Sequence, residues 1–334
     1  MDRLLFGKLL VFMLLLVSFN NLQGAKPYIQ DTTQIHELTI YAVPSYSKLD
    51  WGSPARLYRT SIASFLMSRF AKYTYSIGHM LIKFESPVVD SVVYAAMRST
   101  SNSEKIKLFM KEKIGLAILG VPMKGRLETK EEITALLNHY SKKGSGAAFI
   151  RYRLNRESAL RVKEFLENFS KEGKSGFTPC NYYGGAFWPR YEKEGAGCSS
   201  FALSALEAAG VRIDNPEWRV EVNIPYSLIG GRYNKQKKVG SYDIESRRKW
   251  HSGKGVPNKD FFPFSIYDPT LVHNWIIRMF SHPVGGYYSD MREGFAGLVY
   301  DARGIKITDG DPVMVARKDS SIFIDLFKKN HLQN

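Results

Sequence analysis

The chain has 334 residues, 47 Lys and Arg against 32 Asp and Glu, and a formal net charge of +15. At 44% hydrophobic and 13% aromatic it can bury a real core, which excludes a disordered chain and removes any need for a metal or disulfide staple. Two cysteines exclude a disulfide-dense scaffold and a zinc site of four thiolates.

Arg3 and Lys8 open the chain, and Leu9 to Phe19 is an apolar run broken by one Ser. Polar Asn20, Asn21 and Gln23 and the small pair Gly24-Ala25 follow. That order predicts a secretory signal peptide over residues 1–25. The run has eleven residues, against the roughly 20 that span a bilayer, so it predicts export, periplasmic or secreted, rather than anchoring. No Cys near the cleavage site predicts lipid modification. Cleavage leaves a charge of +14 and a compartment that permits disulfides. No later segment reads as a membrane span.

Leu38 to Val43 reads as a strand, Leu57 to Lys72 as a helix, and Gly78 to Phe84 and Ser91 to Met97 as two strands about a Ser86-Pro87 turn. Ile114 to Val121 reads as a buried strand. Thr129 to Tyr140 opens with a capping box, Thr129 to Glu132, ahead of a helix. Ala147 to Leu154 alternates like a strand with one wet face, and Val162, Phe165, Leu166 and Phe169 mark an amphipathic helix in 155–174. A loop rich in Gly, Pro and aromatics, 175–197, leads to a small-residue helix, Cys198 to Ala209, ended by Gly210. Thereafter come a strand at Arg219 to Ile224, a polar loop over 230–260, a helix near Thr270 to Phe280 and closing strands near 296–317. Repeats and linkers are absent, which predicts one α+β domain over 26–334, with a core at about 75–210 and a C-terminal elaboration at 211–334.

Cys198 follows Gly195-Ala196-Gly197, a flexible approach, and opens its helix. There the macrodipole and free N–H groups lower a thiol pKa and can hold an oxyanion. A thiol nucleophile needs a base, and His79, starting a β-run between Gly78 and Met80, is the best candidate. Other readings stay open: a Cys180–Cys198 disulfide, an inert buried thiol, and a structural His79.

Gly78-His79 leading a strand, a strand–helix unit, and then Gly197-Cys198-Ser199-Ser200-Phe201-Ala202 with Leu206-Glu207-Ala208-Ala209-Gly210 resemble the circularly permuted branch of the papain-like, NlpC-type superfamily. That branch includes lecithin:retinol acyltransferase-like enzymes and bacterial envelope amidases, peptidases and acyl-transferring proteins. The resemblance covers roughly 75–210 and implies a papain-like core, a nucleophile helix on a small antiparallel sheet. It implies Cys198 as nucleophile and His79 as general base. Family members place a His, Glu, Gln or Asn on the strand after the His strand; Ser91 to Met97 holds none. Glu85 and Asp90 are the nearby carboxylates, each read as a solvated turn residue. A full triad, a Cys-His dyad and a degenerate pocket therefore stay open.

Tyr182, Tyr183, Phe187 and Trp188 read as a substrate slot, a phenol for an oxyanion, or core cover. His251, His273 and His282 lack metal-ligand spacing, and Asp309 and Asp311 lack the other ligands of a calcium loop; no metal or cofactor is predicted. The basic stretches Arg247-Arg248-Lys249, Lys235 to Lys238 and Lys171 to Lys174 read as solvated, with no nucleic acid expected. Three functions follow: a thiol hydrolase or acyltransferase acting on cell-wall peptide, lipoprotein or lipid acyl groups; a catalytically degenerate envelope-binding protein on the same fold; or a basic surface protein for anionic polymer. The charge suits all three.

Overall fold

The computed structural model describes residues 35–68, 70, 75–100, 102–143, 146–173, 176–308 and 310–332. The segment 1–25 read as a signal lies outside them. The fold is mixed α+β, as the element pattern predicts.

Strands β1 (Glu37–Val43) and β2 (His79–Glu85) are neighbours in a six-stranded sheet, with β3 (Val93–Ala95) at the edge beyond β2. On the other side of β1 lie β6 (Ala148–Arg153), β11 (Phe295–Asp301) and β10 (Tyr287–Arg292). Pairing is antiparallel except between β6 and β11. Two strands of the main sheet thus come from beyond residue 285, and β1 comes from before residue 75.

Strand alternation gives the sheet two apolar faces. Leu38, Ile40, Met80, Ile82 and Phe84 pack with helices α4 (Arg156–Ser170), α5 (Cys198–Ala208) and α7 (Pro269–Ser281). Tyr41, Val43 and Leu81 pack against α3 (Lys130–Lys143) through Ile133, Leu136 and Leu137. This double cover overturns the wet face expected on Ala147 to Leu154, because every residue of β6 is buried. Its two arginines are inside because they are paired: Arg151 lies 3.3 Å from Glu37 and 2.5 Å from Asp290, and Arg153 lies 3.4 Å from Glu37. Buried charges persist only when paired in this way.

The helix starts follow local chemistry. Asn155 caps α4 by accepting from Ser158 N at 2.8 Å, worth about 1 kcal/mol. The capping box forms as expected: Glu132 accepts from Thr129 N at 2.9 Å and Thr129 Oγ1 from Glu132 N at 3.3 Å. Helix α1 (Pro54–Ser68) ends before Lys72, and residues 71–72 lie outside the described set.

Ile114 to Val121 is not a strand but two bridges and a 3-10 turn, Leu116–Leu119. The run is apolar because it fills a second core with Ile224, Leu228, Val239 and Phe262; a short buried run cannot reveal its backbone state. Gly115 makes the turn at φ +60°, where a Cβ would meet Leu228 O at 2.5 Å. The run Ser91 to Met97 also divides. After β3 the chain leaves the main sheet at Ala96 and enters a three-stranded one of β4 (Met97–Ser99), β5 (Met123–Leu127) and β7 (Tyr182–Tyr183).

Beyond α5, β8 (Arg219–Pro225) pairs with β9 (Phe261–Tyr267), and the polar loop between them contains a short helix, α6 (Ser241–Glu245). The closing strands end at Asp301 rather than near 317, and α8 (Ile322–His331), absent from the sequence reading, buries Phe323, Ile324 and Phe327. Among the described residues, no helix is long and apolar enough to cross a membrane.

Candidate active site

Helix α5 is buried almost all round, so its small residues, Ser199, Ala202, Ser204, Ala205 and Ala208, are what close packing demands. Phe201 anchors it, 5.9 and 5.1 Å from Phe165 and Phe169 of α4, and the helix lies on β2. The Gly195-Ala196-Gly197 approach is tightly held rather than flexible. Ala196 N donates to Tyr182 O, Gly184 N donates to Ala196 O, and a Cβ on Gly195 would meet Tyr182 O at 2.2 Å. Glu194, fully buried, accepts two bonds from Arg317, at 2.6 and 2.9 Å, and one from Trp188 N. The loop that leads into Cys198 is therefore fixed from both sides.

Fixed there, Cys198 is neighbour to His79, the first residue of β2, and the His79 ring and the Met80 backbone N–H both favour its thiolate. His79 Nε2 lies 2.7 Å from Glu128 Oε2, which leaves Nδ1 as the ring nitrogen for the sulfur. The three side chains are nearly sealed: Cys198 is 7%, His79 2% and Glu128 5% exposed. Tyr75 stacks on the imidazole at 4.0 Å and 12°, and its hydroxyl donates to Glu128 Oε1 at 3.2 Å. Arg98, half-exposed, reaches the same oxygen at 3.3 Å.

The carboxylate is the group that sequence reasoning missed. Glu128 follows β5, and its backbone N donates to Ala96 O at 2.8 Å, which sets it beside the His79 strand across 49 residues of chain. Neither β5 nor the sheet change at Ala96 is visible as a pattern, and a single Glu ahead of a capping box carries no signal of its own. Glu85 is at the far end of β2, 2.9 Å from Lys83, and Asp90 is in the β2–β3 turn; neither joins the site.

Electrostatics favour a separated charge. Burial pulls the His79 pKa down, but its bonds to Cys198 and Glu128 and the carboxylate's charge carry it up to about 9. Burial pushes the Cys198 thiol up, and the His79 bond and charge, with Met80 N–H and Tyr183, outweigh this and lower it. Burial likewise raises Glu128, yet His79, Arg98 and Tyr75 hold it below the usual carboxylate range. The two directions, His79 up and Cys198 down, both favour the thiolate–imidazolium form of the pair.

The Tyr183 hydroxyl lies 4.0 Å from Cys198 Sγ, and the Cys198 amide is at the start of α5, where amides lack intrahelical partners. Of the other aromatics read as slot or cover, Tyr182 stacks with Phe177 at 5.1 Å, Phe187 is fully buried, and Trp188 Nε1 donates to Glu207. They are cover.

Both thiols are free, and burial raises that of Cys180. His251 stacks on Phe261, His273 bonds Asn274, and His282 ends α7. Asp311 pairs with Arg161, and Asp309 lies outside the described residues. Among the described residues, no group of three or more His, Cys, Asp or Glu could hold a metal. Comparison with protein-family models, curated proteins and solved structures finds no match to this chain.

Proposed function

We propose that this protein is an exported papain-like thiol enzyme, a hydrolase or acyltransferase, that cleaves an amide or ester of a cell-envelope substrate through a thioester. The observation that carries the proposal is the buried Cys198–His79–Glu128 relay. Its carboxylate fills the orienting position whose emptiness underlay the degenerate reading. Export rests on the order of residues in 1–25, and the envelope substrate rests on export and on the family resemblance.

In this reading the Cys198 thiolate attacks the acyl carbonyl carbon, forming a C–S bond and an oxyanion. The Cys198 amide at the start of α5 and the Tyr183 hydroxyl are the donors placed to meet that oxyanion. Collapse breaks the C–N or C–O bond, and the leaving group takes the proton held on His79. Water, or an amine or alcohol in a transferase, then gives its proton to His79 and attacks the thioester, regenerating the thiolate. Glu128 stays ionised throughout, orienting the ring and stabilising its cation.

Iodoacetamide labelling of the native protein against pH tests this. Wild-type protein is expected to label at Cys198 well below the usual thiol pKa, Cys198→Ser not at all there, and His79→Ala only at high pH. Labelling of Cys198 only after denaturation would overturn the proposal.

A further inference from the structure

Where β8 ends and β9 begins, the polar loop folds into an open basin of about 770 Å³, within the range of small-ligand sites. Its walls carry Lys237, Arg247, Lys249, Lys254 and Lys259, against one carboxylate, Asp260. Asp260 is already committed, accepting from Val256 N at 2.7 Å. Lys237 Nζ donates to Ser227 O at 2.9 Å. The other four cations make no ion pair among the described residues.

The frame that presents them is fixed. Tyr226 N donates to Asp260 O, His251 N to Asn223 O, and Asp260 N to Val256 O, while Trp250 is pinned by its Nε1 bond to Trp51 O at 2.6 Å. Five like charges lining one concavity repel one another, and Asp260 is the single carboxylate in the wall to offset them. Solvated lysines on a convex helix would point apart; these line one hollow with aromatic walls, Tyr226 and Trp250.

We infer that the basin binds a soluble anion carrying several phosphate groups along one molecule. Lysine ammonium groups and Arg247 suit phosphate oxygens, and a basin of about 770 Å³ with five cations in its wall fits several phosphates better than one. The site shares no residue with Cys198, His79 or Glu128, so the inference does not rest on the thiol reading.

Calorimetric titration of the full chain with sodium tripolyphosphate at low salt tests it, with inorganic phosphate as the short probe. Tripolyphosphate is expected to bind one site, more tightly than phosphate, and more weakly as salt rises. Lys249→Glu/Lys254→Glu should weaken it at least about tenfold, while Lys130→Glu/Lys171→Glu, the same charge change elsewhere, should cost less than about threefold. Circular dichroism checks that each variant is folded, and Cys198→Ser should bind as wild type does. Equal losses in the two double variants, or no saturable binding by wild type, would overturn the proposal. So would binding to phosphatidylglycerol vesicles, lost in Lys249→Glu/Lys254→Glu, with no tripolyphosphate binding, because that outcome assigns the basin to a membrane headgroup.

Discussion

Glu128→Gln removes one charge from the relay and keeps its shape. The carboxylate lies 2.7 Å from His79 Nε2, so the two charge centres are about 4 Å apart, worth about 4 kcal/mol at an effective dielectric of about 20. The Gln amide oxygen can still accept from Nε2–H and keeps part of this, leaving a loss on the order of 1.5–3 kcal/mol, or about one to two pH units. The sign is fixed. Without the carboxylate the imidazolium is less stable, so the thiolate beside it forms at higher pH. The assay is the rate of iodoacetamide alkylation at Cys198 against pH, followed by mass spectrometry of the peptide. Its midpoint is expected to rise by about one to two units, with Glu128→Asp in between. A profile superimposable on wild type would refute the idea that Glu128 tunes His79.

The bonds and charge around His79 hold its pKa up to about 9, and its proton is needed by the leaving group, so acyl turnover should fall as pH rises through about 9; in Glu128→Gln that limb moves to lower pH, read from a pH–rate profile. Tyr183→Phe should slow acylation by an ester about 10²–10³-fold, the cost of one oxyanion donor, while alkylation, which forms no oxyanion, changes far less; equal losses in both would contradict the role given to the hydroxyl. Glu194→Ala removes a fully buried carboxylate from half-buried Arg317 and from Trp188 N and should cost about 2–3 kcal/mol in urea unfolding. Gly195→Ala drives a methyl into Tyr182 O, 2.2 Å away, and should lower both the melting temperature and Cys198 reactivity, measured by thermal scan and alkylation.

Features set by neighbours in sequence were legible. A Cys at a helix start after Gly197, the capping box at Thr129, the period of Val162 to Phe169 and the alternation of β1 and β2 each follow from residues a turn or two apart. Features set by assembly were not. Glu128 reaches His79 only because the chain changes sheets at Ala96 and returns through β5, and no spacing encodes that route. Arg151 and Arg153 mimic a wet face because their partners, Glu37 and Asp290, are more than 110 residues distant. The Ile114 to Val121 run advertises burial without saying whether a sheet or a turn buries it. The charge of +15 was plain from the start, but its concentration around the 225–260 hollow depends on how that loop folds.

The most direct test of the central claim is intact-mass measurement of the native protein quenched in acid after brief exposure to p-nitrophenyl acetate. One acetyl group is expected, carried on the Cys198 peptide as a thioester, removed by neutral hydroxylamine, and absent from Cys198→Ser and His79→Ala. Acetylation elsewhere with Cys198 unmodified, or acetylation of Cys198 undiminished in His79→Ala, would contradict a nucleophile activated by that histidine.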